Sequence, residues 1–194
     1  MDFFCVGAVL CALNFGFGSE LDYIFRLVGA GFMAGGIRQL SLYYGDGRLN
    51  RHKGGNAVLL IFSAAGLVQA LFLRFGMISA ETGNILSTAA GLLCGGTAIF
   101  NGWRLIRQLT EDRSLVNAPS LLRALLSVWK KYAVFAGITL LAETVGRFAV
   151  TDSVPHLTAG VAQVFSRIIM YIFIINIAAA FNRCRMDFNK IHPV

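Results

Sequence analysis

Four ionisable side chains, Arg26, Glu143, Arg147 and Arg167, fall inside long apolar stretches of the chain, and a fifth, Asp22, stands at the edge of one. Charge in hydrocarbon is costly and usually reflects a specific use. Asp22/Arg26 and Glu143/Arg147 are both acid-then-base pairs at i, i+4, the favourable helical order. At about 1.5 Å rise per residue, Arg26 and Arg147 would lie only about 6–8 Å from the outer ends of their helices. Long arginine side chains reach water from that depth, so the spacing predicts interfacial anchors there. Glu143 and Arg167 go deeper, about 12 Å and about 15 Å by the same rise. They belong to consecutive antiparallel segments at similar depth, which permits a cross-helix ion pair. Gln163, one turn before Arg167, shares its face. Convergence would set three arginines against Glu143 and Asp22. The residual positive charge would suit a small anionic solute or a lipid headgroup. A static salt bridge locking the last hairpin is the other expectation.

Other chemistry is sparsely supplied. Cys5, Cys11, Cys94 and Cys184 form no CxxC pair, and three of them sit within apolar segments. They are expected to be small packing residues. His52, His156 and His192 lie in loops or the tail, without metal-ligand spacing. GxSxG, P-loop and Rossmann patterns are missing from the chain. Hydroxyls such as Ser63, Ser87, Thr88 and Ser166 have no histidine within the apolar segments to activate them. The expectations are therefore no catalytic residue, no cofactor and no metal.

The elements carrying these residues follow from composition. The 194 residues are 56% hydrophobic and 14% charged, against about 25% charged in ordinary soluble domains. A soluble domain of this size cannot hide so much apolar area. Disorder, a coiled coil and a nucleic-acid-binding domain are excluded on the same grounds. A bilayer core of about 30 Å needs about 20 apolar residues per helix. Six windows qualify, at about 3–18, 21–40, 56–73, 84–103, 132–150 and 157–181. The runs are continuous rather than alternating, so the spanning elements are helices. The sequence thus predicts one all-α polytopic membrane domain over 1–194, with six transmembrane helices arranged as three hairpins. The first span is the weakest, short and interrupted by Asn14, Gly16 and Gly18. A re-entrant first segment with five crossings is the alternative. Met1-Asp2 is acidic where a signal peptide would be basic, so an uncleaved helix is expected.

Thirteen of the 17 basic residues fall in 38–55, 104–131 and the tail. The positive-inside rule makes that side cytoplasmic, with both termini on it, in a bacterial inner or plasma membrane. The net charge of +7 follows loop boundaries, and no nucleic-acid partner is expected. Trp103, Trp129, Tyr132 and Tyr23 are placed near the interfaces, as amphipathic rings prefer.

Two further patterns concern partners. Ala30–Gly36 and Ala90–Gly96 align at an offset of 60, and each contains a GxxxG face, Gly31/Gly35 and Gly91/Gly95. Such faces let helix backbones approach closely. Packing within one chain is expected ahead of a homodimer. In the long inner connection, Asn117-Ala118-Pro119 is a helix-start signal. Leu122, Leu125, Leu126 and Trp129 follow at i, i+3, i+4, i+7, with Arg123, Lys130 and Lys131 for charge. This predicts an amphipathic helix over about 117–131 lying in the inner interface and bending into the fifth span. It would anchor the fifth span or dock a cytoplasmic partner; a membrane protein partner is a further expectation for the chain.

The stretch Leu21-Asp22-Tyr23-Ile24, with Gly29, Gly36, Arg38 and Leu40, resembles short multi-pass bacterial membrane proteins of no known activity. In gross architecture the chain is also similar to the substrate-binding S components of energy-coupling-factor vitamin transporters. Those components have six helices and meet their coupling subunit through an AxxxA face on the first, a pattern that Ala8-Val9-Leu10-Cys11-Ala12 fits. No vitamin-binding motif is matched. The function expected is binding or transport of a small solute, with a structural or regulatory membrane subunit as the alternative.

Overall fold

The structure, a computed structural model, describes residues 2–13, 20–44, 50–111 and 119–191, and those residues form six α-helices without strands. In order they are α1 (Asp2–Ala12), α2 (Glu20–Tyr44), α3 (Asn50–Arg74), α4 (Ala80–Glu111), α5 (Pro119–Phe148) and α6 (Val154–Ile191). Each helix packs against its neighbour in sequence, and α1 closes the ring against α6 while also touching α4. Four of them, α3 to α6, are long and apolar enough to cross a membrane. The chain is therefore an all-helical membrane protein by length and composition.

The outer surface has the composition that hydrocarbon selects. Val134, Ile138, Leu141, Val145 and Phe148 form an exposed stripe along α5, and Leu157, Val161, Val164, Ile168, Ile172 and Ile175 form one along α6. Helices apolar on both their inner and outer faces belong in a bilayer. Inside, Phe4, Leu105, Leu125, Trp129, Phe181 and their neighbours make one continuous core.

α2 is as long as α3 but carries Asp22, Arg26 and Arg38, and it is not among the four span-grade helices. α1 has 11 residues, a reach of about 16 Å, half of a bilayer core. Asn14, Gly16 and Gly18 lie outside the described residues. The Tyr132 hydroxyl donates to the Ala12 carbonyl at 2.7 Å inside the bundle, satisfying one acceptor that the end of α1 leaves open.

Three expectations are corrected. The segment about 117–131 is not a separate interfacial helix, because α5 runs unbroken from Pro119 to Phe148. Leu122, Leu125 and Trp129 are buried in the core, and Leu126 packs against it. The Trp129 indole donates to the Ile99 carbonyl at 3.1 Å. The physical reason is that α4 extends to Glu111, beyond its expected end, and brings Leu105, Ile106 and Leu109 against that stripe. Asn117 and Ala118 lie outside the described residues.

The second correction concerns the α2 glycines. A Cβ at Gly31 or Gly35 would meet nothing within 4 Å, so that face is unused within the chain. The close approach is made by Gly29 and Gly36 instead. A Cβ at Gly36 would stand 2.5 Å from the Phe4 nitrogen, and one at Gly7 of α1 would stand 2.5 Å from the Gly29 oxygen. On α4, Gly91 is buried. A Cβ at Gly95 would lie 3.0 Å from the Leu140 side chain of α5. The third correction is the AxxxA face: Ala8 and Ala12 are buried in the core, so they offer no surface to a coupling subunit.

These contacts separate two neighbouring glycines. Gly36→Val should destabilise the protein by roughly 1–3 kcal/mol, because the overpacked α1–α2 contact must open. Gly35→Val should leave the unfolding temperature in detergent near that of the wild type. Equal effects of the two would contradict this packing.

Candidate functional site

The polar residues between α5 and α6 repeat at helical spacing. On α5 they are Glu143, Gly146 and Arg147; on α6 they are His156, Gly160, Gln163 and Arg167, at intervals of 4, 3 and 4. Those intervals put each set on one side of its helix. Together they line a cleft of about 340 Å³, within the range of about 300–1,000 Å³ usual for small-molecule sites. Most such sites are apolar, whereas this lining consists of charged and polar groups plus two glycines. A Cβ at Gly160 would meet nothing within 4 Å, and one at Gly146 would approach only Ala159 at 3.9 Å. The two glycines keep the cleft open.

Glu143 is 4% exposed. Its Oε1 accepts from Arg167 Nη2 and from Gln163 Nε2, the latter at 3.1 Å. The expected cross-helix pair and its amide partner are thus brought together. Arg147 turns across the bundle, with Nη1 donating to Ser87 Oγ on α4 at 2.5 Å. The Ser87 carbonyl accepts from the Tyr23 hydroxyl of α2 at 3.5 Å. Arg147, half-buried in the last turn of α5, is therefore a lining residue tied to α4.

Asp22 and Arg26 do pair at i, i+4, with 2.9 Å between Oδ2 and Nη2, but both are about 2% exposed. The expectation that Arg26 snorkels to the interface is overturned. Its guanidinium lies beside Gly95 of α4, 3.5 Å from where a Cβ there would stand, an ordinary contact distance. Among the described residues its Nε and Nη1 have no hydrogen-bond partner. Neither Asp22 nor Arg26 lines the α5/α6 cleft, so the six candidates divide into a cleft group and a buried pair.

Two contributors were not anticipated. His156 is in the first turn of α6, not a loop, and its Nδ1 lies 3.1 Å from the Gly146 carbonyl. A carbonyl only accepts, so Nδ1 carries the proton. The helical interval from His156 to Gly160, Gln163 and Arg167 was the available signal. Below the cleft, Thr139 Oγ1 donates to Ser166 Oγ at 2.9 Å, both buried. The cysteines Cys5, Cys11, Cys94 and Cys184 are free and buried. Among the described residues no group of three or more His, Cys, Asp or Glu side chains could hold a metal ion, and His192 lies outside them.

The buried pair has a specific energetic signature. Removing one member of a buried ion pair costs about 3–5 kcal/mol, whereas replacing both with apolar residues is often neutral. Asp22→Leu alone should lower the unfolding temperature strongly, and adding Arg26→Leu should recover most of the loss. A double variant no better than the single would contradict the assignment of Asp22 as Arg26's counter-charge.

No family model, no curated protein and no solved structure matches the chain.

Proposed function

We propose that this is a six-span membrane protein that binds, and in that capacity transports, a small anionic solute through the cleft between α5 and α6. The observation carrying this reading is the cleft's charge: two guanidiniums, Arg147 and Arg167, and one carboxylate, Glu143, line it. The formal balance is one positive charge with His156 neutral. A carboxylate or phosphate presents acceptors to which arginine donates in fixed, forked geometry. Gln163 and the Gly146 and Gly160 gaps favour a ligand of few atoms. The basic ends of α2, α4 and α6 then face the cytoplasm, as do both termini, in a bacterial inner or plasma membrane. No cofactor, metal or nucleic acid takes part, and no catalytic residue is assigned.

The second reading, a non-transporting structural or regulatory subunit, draws support from the Glu143–Arg167 contact, which would also serve as a lock for the last hairpin. Its original docking surface, Leu122 with Trp129, is consumed in the core. Any membrane partner or homodimer would have to use other faces.

Thermal unfolding in detergent with inorganic phosphate, sulfate, acetate or succinate tests the choice. A ligand at about 100 times its Kd adds about 2.7 kcal/mol of stability, or about 5–10 °C for a chain of this size. We expect one of these anions to give that shift, and Arg147→Gln and Arg167→Gln to abolish it. In the charge-reversal variant Glu143→Arg with Arg167→Glu, restored folding with an unchanged anion response would leave only the structural role. No response to any of the four anions would overturn the solute reading.

A further inference from the structure

Two grooves flank α2 far from the α5/α6 cleft. The first, of about 660 Å³, runs on the α1 side along Phe3, Val28, Gly31, Phe32 and Gly35 to Arg38. The second, of about 350 Å³, lies on the α3 side, where Ala34, Ile37, Ala57 and Leu60 lead to Arg38 and Lys53. Arg38 lines both, so the grooves meet at a cation. The ridge between them carries only Ala34 and Gly35 on its outer side. A Cβ at Gly31 or Gly35 would meet open space, which makes the first groove deep.

We propose that these grooves seat the two acyl chains of an anionic phospholipid straddling α2, with Arg38 and Lys53 holding its phosphate. Depth supports this occupant. On the proposed topology, in which α2 crosses with Glu20 at one boundary, Arg38 stands about 27 Å further along at about 1.5 Å per residue, near the other boundary of a hydrocarbon core of about 30 Å. A phosphate lies at that level, with its chains running back along α2 towards Val28. Charge supports it too, because Arg38 and Lys53 are exposed and, among the described residues, no carboxylate lines either groove. A second copy fits less well. Val28, Gly31, Gly35 and Arg38 share one helical stripe, so a two-fold contact through the glycines would set Arg38 against its own copy. Like charges brought together at a dehydrated contact repel strongly.

The site depends on the chain being membrane-embedded and not on the anion cleft, so either can fail alone. Native mass spectrometry of the full chain, titrated with dioleoyl-phosphatidylglycerol or dioleoyl-phosphatidylcholine, tests it. The wild type should retain phosphatidylglycerol over phosphatidylcholine. Arg38→Ala should lower phosphatidylglycerol retention about fivefold, the effect of one cation near a membrane surface, and Arg38→Lys should keep it. Gly35→Leu projects into the first groove from a position where a Cβ meets open space, so it should lower retention of both lipids while the unfolding temperature stays near that of the wild type. Equal retention of the two lipids by the wild type would overturn the proposal. So would unchanged retention in Arg38→Ala, or a dimer that carries no lipid and is lost in Gly35→Leu.

Discussion

A guanidinium surrounded by hydrocarbon must find its counter-charge within the protein, and this requirement organises the bundle. Arg26 meets Asp22 on its own helix, and Arg167 of α6 meets Glu143 of α5. The idealised desolvation cost of such ions is of order 20 kcal/mol each. The Glu143–Arg167 pair therefore restrains α5 and α6 in rotation and depth, whereas the Asp22–Arg26 pair, carried by one helix, stays together however α2 turns and favours the face that keeps both charges out of lipid. α2 must turn Asp22 and Arg26 inward, and its opposite stripe of Leu21, Ile24 and Val28 is left facing out. α5 and α6 must face each other at the level of Glu143, which leaves Val145 and Val164 on the outside.

The same constraint makes the end of the bundle around Glu143 and Asp22 a polar region. Arg147 lines the cleft yet bonds to Ser87 on α4, and Ser87 in turn accepts from Tyr23 beside Asp22. Three helices, α2, α4 and α5, thereby share one chain of polar contacts in a low-dielectric interior, where such bonds reinforce one another. A ligand drawing on Arg147 would compete with Ser87 for the guanidinium. The cleft is thus mechanically tied to the helices around it.

Small residues do the complementary work of bringing backbones together. α2 holds Gly29, Gly31, Gly35 and Gly36 within two turns, enough for two different close-packing faces. The face used is the one that meets Gly7, Phe4 and Cys11 of α1. The other remains on the outer surface, where it shapes the groove leading to Arg38. A GxxxG spacing states that close approach is sterically allowed; which partner arrives is a property of the whole bundle.

The sequence by itself determined the helical class and the order of the helices, and it made a Glu143–Gln163–Arg167 cluster geometrically possible. Each of these follows from local quantities: continuous apolar length, charge placement and matched depth on consecutive antiparallel helices. Tertiary structure alone decided the orientation of side chains whose spacing allowed two destinations. The depth of Arg26 on α2 suited snorkelling, yet in the fold it is buried with Asp22 beside α4. The Leu122–Trp129 stripe suited a membrane interface or a protein core, and the added length of α4 supplied the core. His156 joined the cleft because α6 begins at Val154, two residues before it. In each case the deciding partner stands on another helix, and rotation about the helix axis, which sets who meets whom, leaves no trace in one chain's periodicity.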